Sequence, residues 1–335
     1  IGLDLGLFDN RFTFTADYYD SKTEALLLEV PIPTVTGFES ALQNLGRIRN
    51  NGVELSAGAR NYGEKFHWDA NFNITFNNNE ILELGPEGDP IRSGSGAGNL
   101  FLNEIGGELG AFNVYRQIGI FQTEEEIANS PVWEGVPTFP GDVKYKDVDG
   151  DGQITTEDRE VIGSGNPDFT WGFTSNLAYS NWDLNIVVNG VSGNLVSNIA
   201  QRFVTNLEGN QNQRAVVLGR WVSPEQPGNG LIPRANRTTS GNNNLSETDR
   251  WIEDGSFTRI QNVTLGYNIP SKFANKIGLS TCRFTLTGSN LAYFTKYSGY
   301  NPEVSFSGSN ALNAGADYGS YPLARRFTFG MQIGF

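Results

Sequence analysis

The run Asp147-Val148-Asp149-Gly150-Asp151-Gly152-Gln153-Ile154-Thr155-Thr156-Glu157-Asp158 places side-chain oxygens at its first, third and fifth positions, glycine at the sixth and a carboxylate at the last. That is the spacing of a calcium loop, in which a hard cation gathers several oxygen ligands and the glycine permits a sharp turn. The expected ligands are Asp147, Asp149, Asp151, the backbone carbonyl of Gln153, and Asp158. Glutamate is usual at the last position, so the shorter Asp158 predicts a monodentate or water-bridged ligand. The flanks are not two helices: Val143-Lys144-Tyr145 reads as extended, and only Thr155 to Glu160 reads as a helical turn. The alternative is a solvated acidic loop without metal.

Other chemistry is sparse. Arg220-Trp221 and Arg250-Trp251 set flat aromatics beside cations, a pairing suited to stacking on sugar rings or holding a partner protein, or to anchoring the loop on itself. His67 is the single histidine, so any histidine-based triad would need it, and its place on the wet face of a strand reads as lining. Gly94-Ser95-Gly96-Ala97-Gly98 lacks the lysine of a phosphate-cradling loop, and Asn236-Arg237-Thr238 reads as a chance sequon. No catalytic constellation emerges, so an enzyme is not expected. With 24 basic against 37 acidic residues the net charge is −13, which argues against nucleic acid as a partner. Cys282 stands alone, so no internal disulfide forms.

The elements that must carry these residues are strands. Among 335 residues there are 40 Gly, 22 Phe, 12 Tyr and 6 Trp but one Met, and helix-period runs are almost absent. In the last segment Phe327, Phe329, Met331, Ile333 and Phe335 share one face, while Arg326, Thr328, Gly330, Gln332 and Gly334 share the other. The pattern recurs with Phe66, Trp68, Ala70, Phe72, Ile74 and Phe76 against His67, Asp69, Asn71, Asn73, Thr75 and Asn77. An apolar exterior with a polar, glycine-rich interior suits a transmembrane antiparallel β-barrel.

About eleven such strands are expected, including a weaker hairpin from Asn99–Asn103 and Phe112–Ile118. Short turns alternate with long segments around 21–46, 78–98, 122–166, 193–255 and 293–322, the asymmetry of short periplasmic turns and long outside loops. Trp68, Trp171, Tyr179, Trp182 and Tyr267 are candidates for interfacial girdles. The first residues already read as the inside of a strand, so the chain is expected to begin mid-protein.

Several segments together resemble the carboxyl half of SusC/RagA-type TonB-dependent outer-membrane transporters. They are Gly52-Val53-Glu54; Gly141-Asp142-Val143-Lys144-Tyr145 running into the acidic loop, then Asp158-Arg159, Ile162-Gly163 and Pro167-Asp168-Phe169; Glu253-Asp254-Gly255-Ser256-Phe257; Leu265-Gly266-Tyr267; Ser289-Asn290-Leu291; and Thr295 to Glu303. Asn301 stands where that family usually has Asp. The resemblance implies part of a 22-stranded plugged barrel across the outer membrane, with the plug and amino-terminal strands outside residues 1–335 and the calcium-type loop at 142–163. It further implies import of oligosaccharides or peptides, a SusD-like surface lipoprotein as partner, and energy from the TonB complex through the amino-terminal part. The rivals are a secreted, calcium-stabilised all-β adhesin or carbohydrate-binding protein, and a passive porin. The strip Phe327 to Phe335 discriminates: it meets lipid in a barrel and a second sheet in a soluble protein.

Overall fold

A computed structural model describes the chain except for residues 32–34, 36, 39, 86, 95–97, 209–210, 237–244, 246, 304–307 and 309, and gives the backbone alone for 28–31 and 40–45. Arg237 and Thr238 of the sequon, and Ser95-Gly96-Ala97 of the glycine-rich loop, lie outside the described residues.

Nine strands form one antiparallel sheet: β1 (Gly2–Leu7), β2 (Phe12–Pro31), β3 (Ser40–Tyr62), β4 (Phe66–Glu83), β5 (Phe169–Tyr179), β6 (Trp182–Ser192), β7 (Phe257–Asn268), β8 (Thr281–Thr295) and β9 (Arg326–Gly334). Each pairs with its neighbour in sequence order, so the sheet is a meander with no crossover. Register carries the alternation from strand to strand. Phe66, Tyr179, Trp182, Tyr267 and Phe284 stand side by side at the short-turn end, with the Trp182 and Tyr267 rings 4.4 Å apart. Trp171 lies elsewhere, over Gly190, where an added Cβ would come within 2.3 Å of its indole nitrogen.

The polar face is tied across strands in the same way. Asp69, Asn176, Asn185, Thr264 and Thr287 form one row, in which the Asn176 amide donates to Asp69 (2.8 Å) and the Asn185 amide to Asn176 (2.6 Å). The opposite face is apolar and open: Phe327, Phe329 and Met331 are 70%, 69% and 57% exposed. Among the described residues no second sheet covers that strip.

Among the described residues nine strands, rather than the expected about eleven, form this sheet. The pair expected at Asn99–Asn103 and Phe112–Ile118 is displaced into a separate four-stranded sheet, where Phe101–Asn103 and Ala111–Tyr115 pair between Ile91–Ser93 and Arg159–Ser164. Every residue of Phe101–Asn103 and Ala111–Tyr115 is buried, so these segments are core on both faces and have no outward side to give to lipid. Loss of two strands leaves the alternation of short and long connections intact. β2 and β3 also run further than alternation indicated, to 20 and 23 residues, because they keep pairing from Thr23↔Ile48 out to Pro31↔Ser40 beyond a bulge. At ~3.3 Å per residue β2 is about 66 Å long, well over the ~25 Å of an apolar band.

The packed core therefore sits in the long connections. Leu100, Phe101, Phe112 and Val114 of residues 84–168 pack with Ile199 of 193–256 and Ala316 of 296–325, so three connections share one cluster. A second cluster joins Tyr115, Ile120, Val143, Tyr145 and Ile154 to Trp221. A third seats Ile81, Leu84 and Ile91 against Leu26 and Ile48 of the long hairpin. Side chains of this kind contribute ~1.5–3 kcal/mol each when fully buried. The connections are one folded cap.

Candidate functional site: the acidic loop and its cap

The acidic loop is held at both ends by strands. Before it, Val143–Tyr145 pairs antiparallel with Gln117–Ile120; after it, Arg159–Ser164 pairs with Ala111–Tyr115. Within it, Gln153-Ile154 pairs with Val132-Trp133, and Thr156–Asp158 makes a single 3-10 turn, as the flanks suggested. Gly150 and Gly152 have φ of 78° and 86°, the left-handed region that favours glycine, which is why the chain can fold its aspartates inward here.

One ligand oxygen from each of Asp147, Asp149 and Asp151 lies within 4.8 Å of the others. Asp147 also accepts from the amides of Gly150 (2.7 Å) and Gly152 (3.0 Å); Asp149 accepts from Asp151, and Asp151 from Gln153. The amide of Asp151 pulls the Asp149 carboxyl down, but partial desolvation and the charges of Asp151, Asp158 and Asp147 together leave it above its ordinary value. Three carboxylates that repel one another are what a divalent cation would relieve.

Asp158 stands apart from that group. It is fully buried, and its two oxygens accept from the amides of Val148 (2.6 Å) and Thr155 (2.7 Å), while Thr155 caps the turn in return. Its carboxylate closes the loop on itself through these two bonds. Spacing alone could not reveal this, although the Thr155-x-x-Asp158 pattern of a capping box was present in the sequence.

Neither tryptophan offers a face to solvent, which corrects the expectation of a stacking surface at Arg220-Trp221 and Arg250-Trp251. Trp221 is buried in the second cluster, with its indole donating to Gln122 (3.1 Å). It lies against Gly141, where an added Cβ would meet the ring at 2.4 Å. Trp251 is 3% exposed and donates to the carbonyl of Leu245 (2.8 Å). The Arg250 guanidinium lies 4.5 Å over its ring and donates to the carbonyl of Thr205, and burial brings Arg250 down to about 10. Arg220 ends a 3-10 turn at Ala215–Gly219. Trp221 and Trp251 anchor the cap, because large rings with one polar tip are more stable buried and bonded than exposed.

Sequence reasoning missed a second anchoring site. Asp317, almost fully buried, accepts from the Tyr297 hydroxyl (2.6 Å), the amides of Gly319 and Ser320 (2.9 Å each) and the Ser320 hydroxyl (3.0 Å). Burial would raise its carboxyl, but those bonds outweigh it and hold the group below the usual carboxylate range. Burial and the bond to Asp317 push the Tyr297 phenol up.

No family model matches the chain. Individual proteins do, over its whole length. A TonB-dependent receptor, P3, of Formosa agariphila is 36% identical across 100% of this chain and 33% of the relative. The TonB-dependent receptor SusC of Bacteroides thetaiotaomicron is 28% identical across 100% of this chain and 31% of its own length. The solved structure of the RagAB peptide transporter superposes with a TM-score of 0.80 at 23% identity, covering 100% of this chain and 34% of that one. Over its whole length the chain is similar in sequence to part of these TonB-dependent receptors and shares the fold of part of the RagAB transporter. It spans about a third of the length of the curated relatives it matches. The relatives are receptors and transporters, not enzymes. The nine-stranded sheet lies within the part of the chain that superposes on that transporter.

Proposed function

We propose that the chain supplies part of the wall and the outside cap of an outer-membrane importer that takes up oligosaccharides or peptides in a TonB-dependent way. The observation that carries this reading is the exposed strip Phe327, Phe329, Met331, Ile333 and Phe335, continued by the aromatic row from Phe66 to Phe284 on the same face. An apolar band of that kind, backed by an Asn/Thr-lined polar face, suits lipid outside and a wet lumen inside. The long connections, folded into one cap, lie where a SusD-like lipoprotein would seat. The TonB complex would act through the part of the protein outside this chain. The relatives' names support the same reading.

Within the cap, the acidic loop holds one structural calcium through Asp147, Asp149 and Asp151, with the carbonyl of Gln153 as a further ligand and Asp158 fixing the loop's shape. What favours this is the closeness of the three carboxylates and the two left-handed glycines beneath them.

The test is uptake of labelled oligosaccharide and peptide pools by cells carrying the full-length protein, before and after the inner-membrane proton gradient is dissipated. Uptake of one pool that stops with the gradient is expected. Uptake that persists points to a passive pore, and surface binding without uptake to an adhesin; either outcome defeats the importer.

A further inference from the structure

The wall has a notch. β5 joins β4 only from Phe169↔Phe76 downward, whereas β4 continues to Glu83. Above Phe76 its open edge is bridged at Ile81, which exchanges backbone hydrogen bonds with Gly106 and Gly107 of the cap (2.8 and 2.9 Å). Between bridge and wall lies a cavity of about 410 Å³, within the ~300–1,000 Å³ of small-molecule clefts.

Its lining changes character from bottom to top. The floor is Tyr18, Val53 and Phe76, in register on the apolar face and all exposed. Two residues further along, the same face carries Asp20, Asn51 and Asn78, so the apolar band ends in this row. Arg49 and Asp20 form a two-pronged ion pair just above it (3.0 and 2.6 Å), a charged pair that belongs outside hydrocarbon. Glu108 and Asp168, both exposed, and Ser164 and Asn166 form the roof from the cap side.

We infer that this notch holds the sugar headgroup of an outer-leaflet glycolipid, with the lipid's chains lying on Tyr18, Val53 and Phe76. The inference rests on the importer reading, because it needs this face in a bilayer. The position fits a lipid: the floor is continuous with the lipid-facing band, and the polar roof begins where hydrocarbon ends. The headgroup chemistry follows from the lining. Among the described residues no lysine or arginine lines it, Arg49 beside it is already paired with Asp20, and two carboxylates face it, so a phosphate would meet repulsion rather than pairing. Hydroxyls donate to carboxylates and exchange hydrogen bonds with amides, and Asn51, Asn78, Glu108 and Asp168 offer both.

The test uses the full-length protein in nanodiscs of phosphatidylethanolamine, with equal small amounts of phosphatidylglycerol and a diglycosyl diacylglycerol. Lipids retained after gentle release are read by native mass spectrometry. Retention of the glycolipid over phosphatidylglycerol by about tenfold is expected, with a fall of similar size in the Asn51→Ala/Asn78→Ala double variant. Glu108→Lys combined with Asp168→Lys should reverse the preference toward phosphatidylglycerol. Heat-modifiable migration on a gel verifies that each variant is folded. Equal retention of both lipids, retention unchanged in the variants, or displacement by the free disaccharide at the same concentration would overturn the inference while leaving the importer standing. Failure of the wild-type protein to enter nanodiscs at all would overturn both.

Discussion

Replacing Asp158 by alanine separates the two roles that its position in the loop allows. In the structure its carboxylate accepts two backbone amides, from Val148 and Thr155, and is fully buried. A hydrogen bond to a charged group contributes ~1.5–3 kcal/mol net, which would put two of them near 3–6 kcal/mol. Val148 is 40% exposed, so once freed its amide can find water and its bond counts for about half or less, which brings the total to the foot of that range or just under it. Asp158→Ala should therefore cost about 2–4 kcal/mol of local stability. Asp158→Asn keeps one acceptor and turns an amide group toward the other N–H, so it should cost about half or more of that.

Hydrogen exchange followed by mass spectrometry, on the full-length protein in nanodiscs with chelator present, reads this directly. A loss of 2 kcal/mol in opening free energy corresponds to a fall in protection on the order of 30-fold for peptides spanning residues 147–158. If Asp158 were instead a metal ligand and nothing more, the chelated variant and chelated wild type would exchange alike, and only the calcium-dependent part of the protection would vanish. That result would refute the capping role.

Calcium should bind the full-length protein with a dissociation constant on the order of 10⁻⁴ M and be lost in Asp149→Ala, as read by titration calorimetry; identical flat traces for both would sink the metal reading. Asp317 has a carboxyl held below its ordinary value, so it stabilises the cap above the unfolded range near ~3.9 and that contribution disappears as pH falls through the folded value. Proteolysis of the cap should thus rise below about pH 4 in wild type, while Asp317→Asn should be more susceptible at neutral pH and show a weaker acid dependence. Gly52→Ala would bring a Cβ to 2.1 Å from the Phe76 carbonyl and 2.6 Å from the Tyr19 hydroxyl, and the yield of heat-modifiable barrel should drop; an unchanged yield would count against close strand approach as the reason for glycine there. Trp251→Ala should cost about 3–5 kcal/mol of cap stability by leaving a cavity, measurable as a lower midpoint of cap unfolding.

The wall was legible because its strands carry one apolar and one polar face. Phe72 and Asn73 are adjacent in sequence and on opposite faces, and that contrast repeats in register across nine strands. The cap was not legible in the same way. Leu100, Phe101, Phe112 and Val114 are buried, and so are the polar Asn103 and Asn113 between and beside them, so a pattern that reads as one wet face and one apolar face is core on both. The same blindness applied to Trp221 and Trp251. A tryptophan beside an arginine reads alike on a binding surface and in a cap core, and only the long-range contacts to Gln122 and Leu245 separate the two. The acidic loop lay between these extremes. Its turn geometry follows from local residues and was correctly anticipated, whereas the use of Asp158 depends on where two backbone amides point.

The displaced hairpin bears on which side of the wall each connection occupies. Strands leave a meander in pairs without changing the direction of those that remain, so moving one hairpin out of the sheet merges two long connections into residues 84–168 and keeps every tight turn at the opposite end. The acidic loop, the buried tryptophans and the Asp317 cluster consequently lie at one end of the wall, in connections that share a single core. Phe101 and Phe112 of the first connection, Ile199 of the second and Ala316 of the third belong to the same cluster. A cation that orders the first connection would steady the others through that cluster, since a closely packed core transmits strain. A loop that held such a cation would act on the shape of the cap without touching a substrate.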